Sequence, residues 1–284
     1  MKIQVLEKIK SIKNLNMLPV VVSKLLEVTS NPKSSVSDVS KVVSSDPTLT
    51  ANILKIVNSP FYGFPRTITT INQALVILGF TDIRNIALSL TVFDKLKSSL
   101  LDVSEFWKHS LGVGIASKVI AEKLKYAKPE EAFICGLLHD IGKLILSEYF
   151  SDRFKLILKV VEMKPVYISQ AEEAILEGIN HAQIGSWVTE KWKLPPVITK
   201  TVALHHSPVI AGTVDELAGI VNHANNLCRL KKIGFSGDSL GPDFNEEVTE
   251  FLGLDEKAME EIAVEIDKKI ASAQIILNMA QKKA

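Results

Sequence analysis

Apolar residues return every three or four positions along almost the whole chain, the spacing of one face of an α-helix. "VSDVSKVV" sets Val36, Val39, Val42 and Val43 on one such face. "DPTLTANILKIVN" opens with Asp46 as an expected N-cap and Pro47 at the first helical position, then carries Leu49, Ile53, Ile56 and Val57 inward. "INQALVILGF" places Ile71, Ala74, Leu75 and Leu78 on one stripe and is expected to stop at Gly79, with Thr81 capping the next helix. Between these helices, "NSPFYGFPRTITT" reads as a loop, rich in Pro, Gly and Asn. Its aromatics Phe61, Tyr62 and Phe64 serve either to anchor the loop on the core or as a contact surface.

The same period continues after the polar stretch "KLKSSLLDVS". A long helix is expected from Ser104 to about Tyr126. "KPEEAFICGLLHDIGKLIL" reads as another, with Pro129 in its first turn. "SQAEEAIL" has Ser169 and Glu172 in capping-box spacing. "HAQIGSWVTEKW", "PVITKTVALHH" and "TVDELAGIVNHANNLCRL" supply three more helices, and residues 234–245 are the clearest irregular segment. A long amphipathic helix, "DEKAMEEIAVEIDKKIASAQIILNMAQ", closes the chain. Sustained strand alternation is missing, so the expected fold class is all-α. A soft boundary near residue 98 divides an N-terminal helical subdomain, 1–98, from a second helical part, 99–284.

Composition narrows the function classes. The 284 residues suffice for two domains or one large helical body. A formal net charge of +1 gives no broad basic footprint, so neither nucleic acid nor an anionic membrane surface is expected as a partner. The N-terminus lacks the apolar run of a signal peptide, and no stretch reaches about 18 uninterrupted apolar residues. A cytoplasmic protein with two reduced core cysteines, Cys135 and Cys228, is expected.

The candidate chemistry lies in the histidines. All six, His109, His139, His181, His205, His206 and His223, fall in the second part of the chain. "GLLHDIGKLIL" sets His139 beside Asp140 in a strongly apolar segment, where an unpaired charge costs several kcal/mol. A hydrogen-bond partner, solvent in a cleft or a metal ion must satisfy that pair. Neutral imidazole is the commonest ligand for first-row metals, and a carboxylate suits the same ions. Glu105, four residues before His109, is either a further ligand or an acid favoured by the helix dipole.

The order His109, then His139-Asp140 followed by "IGK", then His181 and the pair His205-His206, resembles the HD metal-dependent phosphohydrolases, and within them the branch related to the HD-GYP phosphodiesterases. The resemblance implies a helical bundle of the HD type and a metal set of His109, His139, Asp140, His181, His205 and His206. It places Lys143 near substrate phosphate. His223 falls where the branch has a late Asp and is expected to ligate metal in its place, and the Gly-Tyr-Pro segment of cyclic di-GMP phosphodiesterases is absent after His206. The first half settles the branch: "DPTLTANILKIVNSPFYG" and "TTINQALVILGFTDIRNIAL" resemble the HDOD domain of bacterial signalling proteins, over about residues 15–230.

Three readings follow. In the first, the chain is a signalling or regulatory module that retains a His/Asp metal site without efficient catalysis, and acts on an unidentified protein partner. In the second, it is a phosphohydrolase acting on a nucleotide or phosphodiester, with Asp140 and Lys143 as catalytic groups. In the third, the histidines only pair in a core. The expected cofactor of the first two is a divalent transition metal, Fe, Zn, Mn or Ni.

Overall fold

The computed structural model describes residues 18–95, 98–238 and 240–273, together with Val5, Glu7 and Ser11. The end of the expected closing helix, past residue 273, and most of residues 1–17 lie outside them. The described chain is helical apart from one two-stranded hairpin, Val209–Ile210 with Thr213–Val214, so the all-α class holds.

The residues divide into two compact units. The smaller comprises residues 18–95 and 268–273. In it α1 (Val20–Ser30), α2 (Val36–Ser44) and α3 (Pro47–Val57) each pack on α4 (Ile71–Lys95). Val39, Val43, Ile53, Val57, Ala74 and Ile83 are fully buried, whereas Val36 and Val42 at the edge of the expected stripe are half-buried. Asp46 caps α3 as expected, accepting a 3.0 Å bond from the Leu49 amide. The loop that follows is closed by Asn58. Its amide donates to the Ile68 carbonyl at 2.8 Å and accepts from the Ile68 N–H at 2.7 Å. Half-buried Tyr62 packs edge-on to Phe61 and stacks on Phe64.

Gly79 interrupts α4 as its position predicts, but the two segments abut without a connecting loop. Its backbone, φ 81° and ψ 177°, lies in a region essentially reserved for glycine. By length and composition Ile71–Val92 could cross a membrane, but more than half of its most apolar window is buried inside the protein.

The larger unit holds residues 98–267. Its helices are α5 (Val103–Lys123), α6 (Pro129–Leu138), α7 (Ile141–Tyr149), α8 (Ser151–Met163), α9 (Ile168–Ile175), α10 (His181–Lys191), α11 (Pro196–Leu204), α12 (Glu216–Leu230) and α13 (Glu246–Leu252). The long helix α14 (Glu256–Ser272) begins there. Asp102 caps α5 through the Ser104 and Glu105 amides, and α5 then runs against α6 and α12. Cys135 and Cys228 are free and buried, and burial pushes both thiols well up.

Two expectations need correction. "KPEEAFICGLLHDIGKLIL" is two helices: α6 ends at Leu138, and α7 starts after Asp140, whose φ of −96° and ψ of 6° break the helical path. Ser169 and Glu172 form no capping box. Helix α9 begins two residues earlier than that motif requires, and Gln170 Oε1 accepts the Tyr167 N–H at 3.1 Å.

The Gly79 conformation gives a direct test. Gly79→Ala leaves the surroundings free of clashes, because no atom lies within 4 Å of the added methyl. The backbone alone should therefore cost about 1–3 kcal/mol, read as a shift in the denaturant midpoint.

Candidate metal centre

Breaking the helix at the His-Asp doublet has a geometric effect. His139 closes α6 and Asp140 opens α7, so both side chains turn into one buried space. His109 reaches it from the middle of α5, His181 from the first position of α10, and His205 and His206 from the end of α11. Gly142 lets α7 approach α10: a Cβ there would lie 2.0 Å from the His181 carbonyl oxygen. His109, His139, Asp140, Lys143, His181 and His205 are at most 1% exposed, and only His206 is half-buried.

Asp140 is the hub. Its Oδ2 accepts from Lys143 Nζ at 2.8 Å and lies 3.3 Å from His139 Nε2 and 4.0 Å from His109 Nε2. Its Oδ1 is 3.0 Å from His181 Nε2 and 3.8 Å from His205 Nε2, without an aligned hydrogen bond. Two overlapping sets result, His109/His139/Asp140 and Asp140/His181/His205/His206, each with ligand atoms within 4.8 Å of one another.

The imidazoles are held in defined tautomers. His139 Nδ1 donates to the Gly136 carbonyl at 2.7 Å, and His205 Nδ1 to the Val202 carbonyl at 2.8 Å. With Nδ1 engaged by a carbonyl, Nε2 is the ring atom each of these histidines turns to the centre. Both Nε2 atoms are buried in the centre with no hydrogen-bond partner. Orphaned buried acceptors are uncommon and call for an explanation, and an ion in the space they face supplies one. His206 Nε2 lies 2.8 Å from His181 Nε2. Five imidazoles and one carboxylate fit a divalent transition metal by donor type.

The charges follow from these contacts. Burial opposes ionisation of Asp140, but His139 and Lys143 overcome it and hold the carboxyl well below the usual range. Burial, then the neighbouring His139, pushes His109 down to about 3. Burial depresses His205 and His206 as well. His181 is the exception: burial would lower it, yet Glu172 lifts it to about 9.

Glu172 and Asn225 are contributors that the sequence reading missed. Glu172 is fully buried on α9, and its Oε2 accepts the His181 backbone N–H at 2.7 Å and lies 2.6 Å from His181 Nδ1. Asn225 Oδ1 lies 3.1 Å from His109 Nε2, and the Asn222 amide donates to the His205 carbonyl. Asn222, Asn225 and Asn226 stand at i, i+3 and i+4 on an otherwise apolar helix, a signal present in "IVNHANNL".

Two expected ligands are not brought to the centre. His223 points away from the asparagine face, bonds Thr249 Oγ1 at 2.8 Å and packs on Phe244. One residue on from Asn222, it is rotated about 100° around α12. Glu105 is 42% exposed and pairs with Lys108 at 3.7 Å, as a first-turn acid at the solvent end of α5.

The sequence model of the HDOD domain matches residues 15–208. The chain belongs to the HDOD family. A Geobacter sulfurreducens HDOD domain protein of unknown function is 25% identical, with a TM-score of 0.75 over 93% of this chain and 92% of its own. A Shewanella amazonensis SB2B protein provisionally named a phosphohydrolase is also 25% identical, with a TM-score of 0.77 over 98% and 97%. A Marinobacter aquaeolei VT8 protein provisionally named for signal transduction shares the fold, at 23% identity and a TM-score of 0.78, over 99% of this chain and 65% of its own. An uncharacterised Treponema pallidum (strain Nichols) protein is 26% identical over 67% of this chain, which spans 38% of that relative. An HDOD domain with a buried His/Asp cluster able to take a metal is thus established.

The shifts predict how stability of the metal-free protein depends on pH. His109 stays neutral when folded but binds a proton near pH 6.5 when unfolded, so stability falls as pH drops from 6.5 towards 3. His181 acts oppositely: its contribution is full below pH 6.5 and is lost as pH rises through about 9. Denaturant titrations in chelator should show a maximum near pH 6.5. Separately, Glu172→Ala should weaken metal binding by about 10–100-fold, measured by competition with a chelating dye.

Proposed function

We propose that this HDOD domain is a signalling module whose buried centre holds a divalent transition metal for structural and regulatory use rather than turnover. His109, His139, Asp140, His181, His205 and His206 would hold the metal. The observation that carries this reading is closure. Five of the six donor residues are at most 1% exposed, with His206 half-buried, and the Lys143 ammonium is already engaged by Asp140 and by Ser236 Oγ at 3.3 Å. A phosphodiester needs an open approach to its ion and a free cation, and deep burial of most donors together with the paired Lys143 weighs against both. The donor set is also poor in carboxylates, with one Asp among five imidazoles, so a bound ion would sit in a weakly negative field.

A second reading is favoured by one observation. Lys143 lies inside the centre beside Asp140, and the Shewanella relative carries a phosphohydrolase name. A metal ion there would polarise a phosphoryl oxygen and acidify a bound water. Lys143 would then leave Asp140 to hold a phosphate oxygen of a nucleotide or phosphodiester.

Metal should raise the melting temperature by mass action, and His139→Ala should remove that gain. Cyclic di-GMP and a phosphodiester panel should stay at background rates with Mn, Fe, Zn or Ni. Turnover that Asp140→Ala abolishes would establish the second reading instead.

A further inference from the structure

Residues 233–238 leave the end of α12 and cross directly over the centre. The Ile233 carbonyl lies 3.2 Å from His109 Nδ1, and the Phe235 N–H donates to the Glu105 carbonyl at 3.0 Å. Gly234 (φ +64°) is pressed so close to α5 that a Cβ would lie 2.3 Å from the His109 amide nitrogen. Ser236, 5% exposed, reaches down to Lys143 Nζ at 3.3 Å. Asp238 Oδ1 accepts the Ile168 N–H at 2.8 Å and so caps α9, the helix that carries Glu172. One short strap therefore touches both halves of the centre. One path runs Ser236–Lys143–Asp140, and the other runs Asp238–α9–Glu172–His181.

Both ends of the strap are anchored. Ile233 N–H donates to the Cys228 carbonyl at 2.9 Å. Just beyond it, Arg229 donates to the Leu240 and Gly241 carbonyls at 2.8 Å each, and Asn226 pairs with the Asp243 backbone through both amide atoms. Phe235 is 48% exposed, so the strap also forms part of the surface.

We infer that this strap is the element that reports occupancy of the metal centre at the protein surface, with the Lys143–Ser236 contact as the coupling. The inference rests on the proposed metal-binding reading. The physical step is a competition for one oxygen. Asp140 Oδ2 serves Lys143 and also faces His139 and His109. A divalent ion taking that oxygen repels the ammonium 2.8 Å from it, at short range and away from solvent screening. Lys143 Nζ then turns towards its other partner, Ser236, and draws the strap down. The metal-free state, with Asp140 holding the ammonium and a long contact to Ser236, leaves the strap more weakly held.

The test is hydrogen exchange of the full chain with and without Zn2+, and separately Mn2+, with bound metal measured by element analysis. In the wild type, metal should slow exchange in peptides covering residues 233–238 by about tenfold more than in α2, which packs on α1, α3 and α4 rather than on the helices of the contact path. Ser236→Ala should bind the same amount of metal and lose that extra protection, whereas Ser236→Thr, which keeps the hydroxyl, should retain it. Stoichiometric metal with no extra protection of the strap overturns the inference, as does an unchanged response in Ser236→Ala. Absence of bound metal overturns the metal-binding reading itself and the inference with it, and the element analysis alone tells that case apart.

Discussion

The ionised side chain of Asp140, fully buried at the join of two helices, is the constraint on which the larger unit is built. A carboxylate taken out of water loses several kcal/mol of solvation, so its surroundings must return comparable energy. Lys143, one turn later on α7, supplies a full opposite charge at 2.8 Å. The imidazoles supply the rest of a polar lining. Removing either charge of such a pair leaves the other stranded, at about 3–5 kcal/mol. The surrounding helices bring the groups that meet it. Helices α5, α10 and α11 each deliver a histidine to it.

Delivery alone would not make a metal site. Each ring must also present its lone pair inward, and the backbone settles this for His139 and His205 by placing a carbonyl three residues back against Nδ1. His181 cannot use that device, because it stands at the start of its helix and no preceding helical turn offers a carbonyl. A side chain from another helix, Glu172, takes the role and lifts the ring's basicity. The difference explains why one histidine of the set is strongly basic while His109, His205 and His206 are held neutral.

Much of this was legible in the sequence and some was not, for identifiable reasons. Helical period, the Asp46 cap and the kink at Gly79 are local properties, and they appear where the residues predict them. The histidine order identified the cluster because residue type and sequence order survive folding. Glu172 was misread because an acid near a helix start is ordinarily a capping group, and only the tertiary fold reveals that it is buried against His181. His223 was placed in the set because it stands at the family's late-Asp position, and sequence position does not fix which face of a helix meets the centre. On α12 the face that meets the centre is set by rotation about the axis, and that face belongs to Asn222 and Asn225. The break between α6 and α7 was hidden because "GLLHDIGKLIL" is apolar enough to read as one continuous helix.

That break also explains how one buried carboxylate comes to serve several groups at once. Within a continuous helix, His139 and Asp140 would point about 100° apart and share one face only in part. At a junction they converge, which brings Lys143 back over the same carboxylate one turn later. A metal ion entering the centre would then compete with that buried cation for a single oxygen. In a rigid, close-packed interior such competition cannot be absorbed by many small adjustments. It would be passed to the group that has somewhere to go, and here that group is the lysine with a surface strap as its second partner.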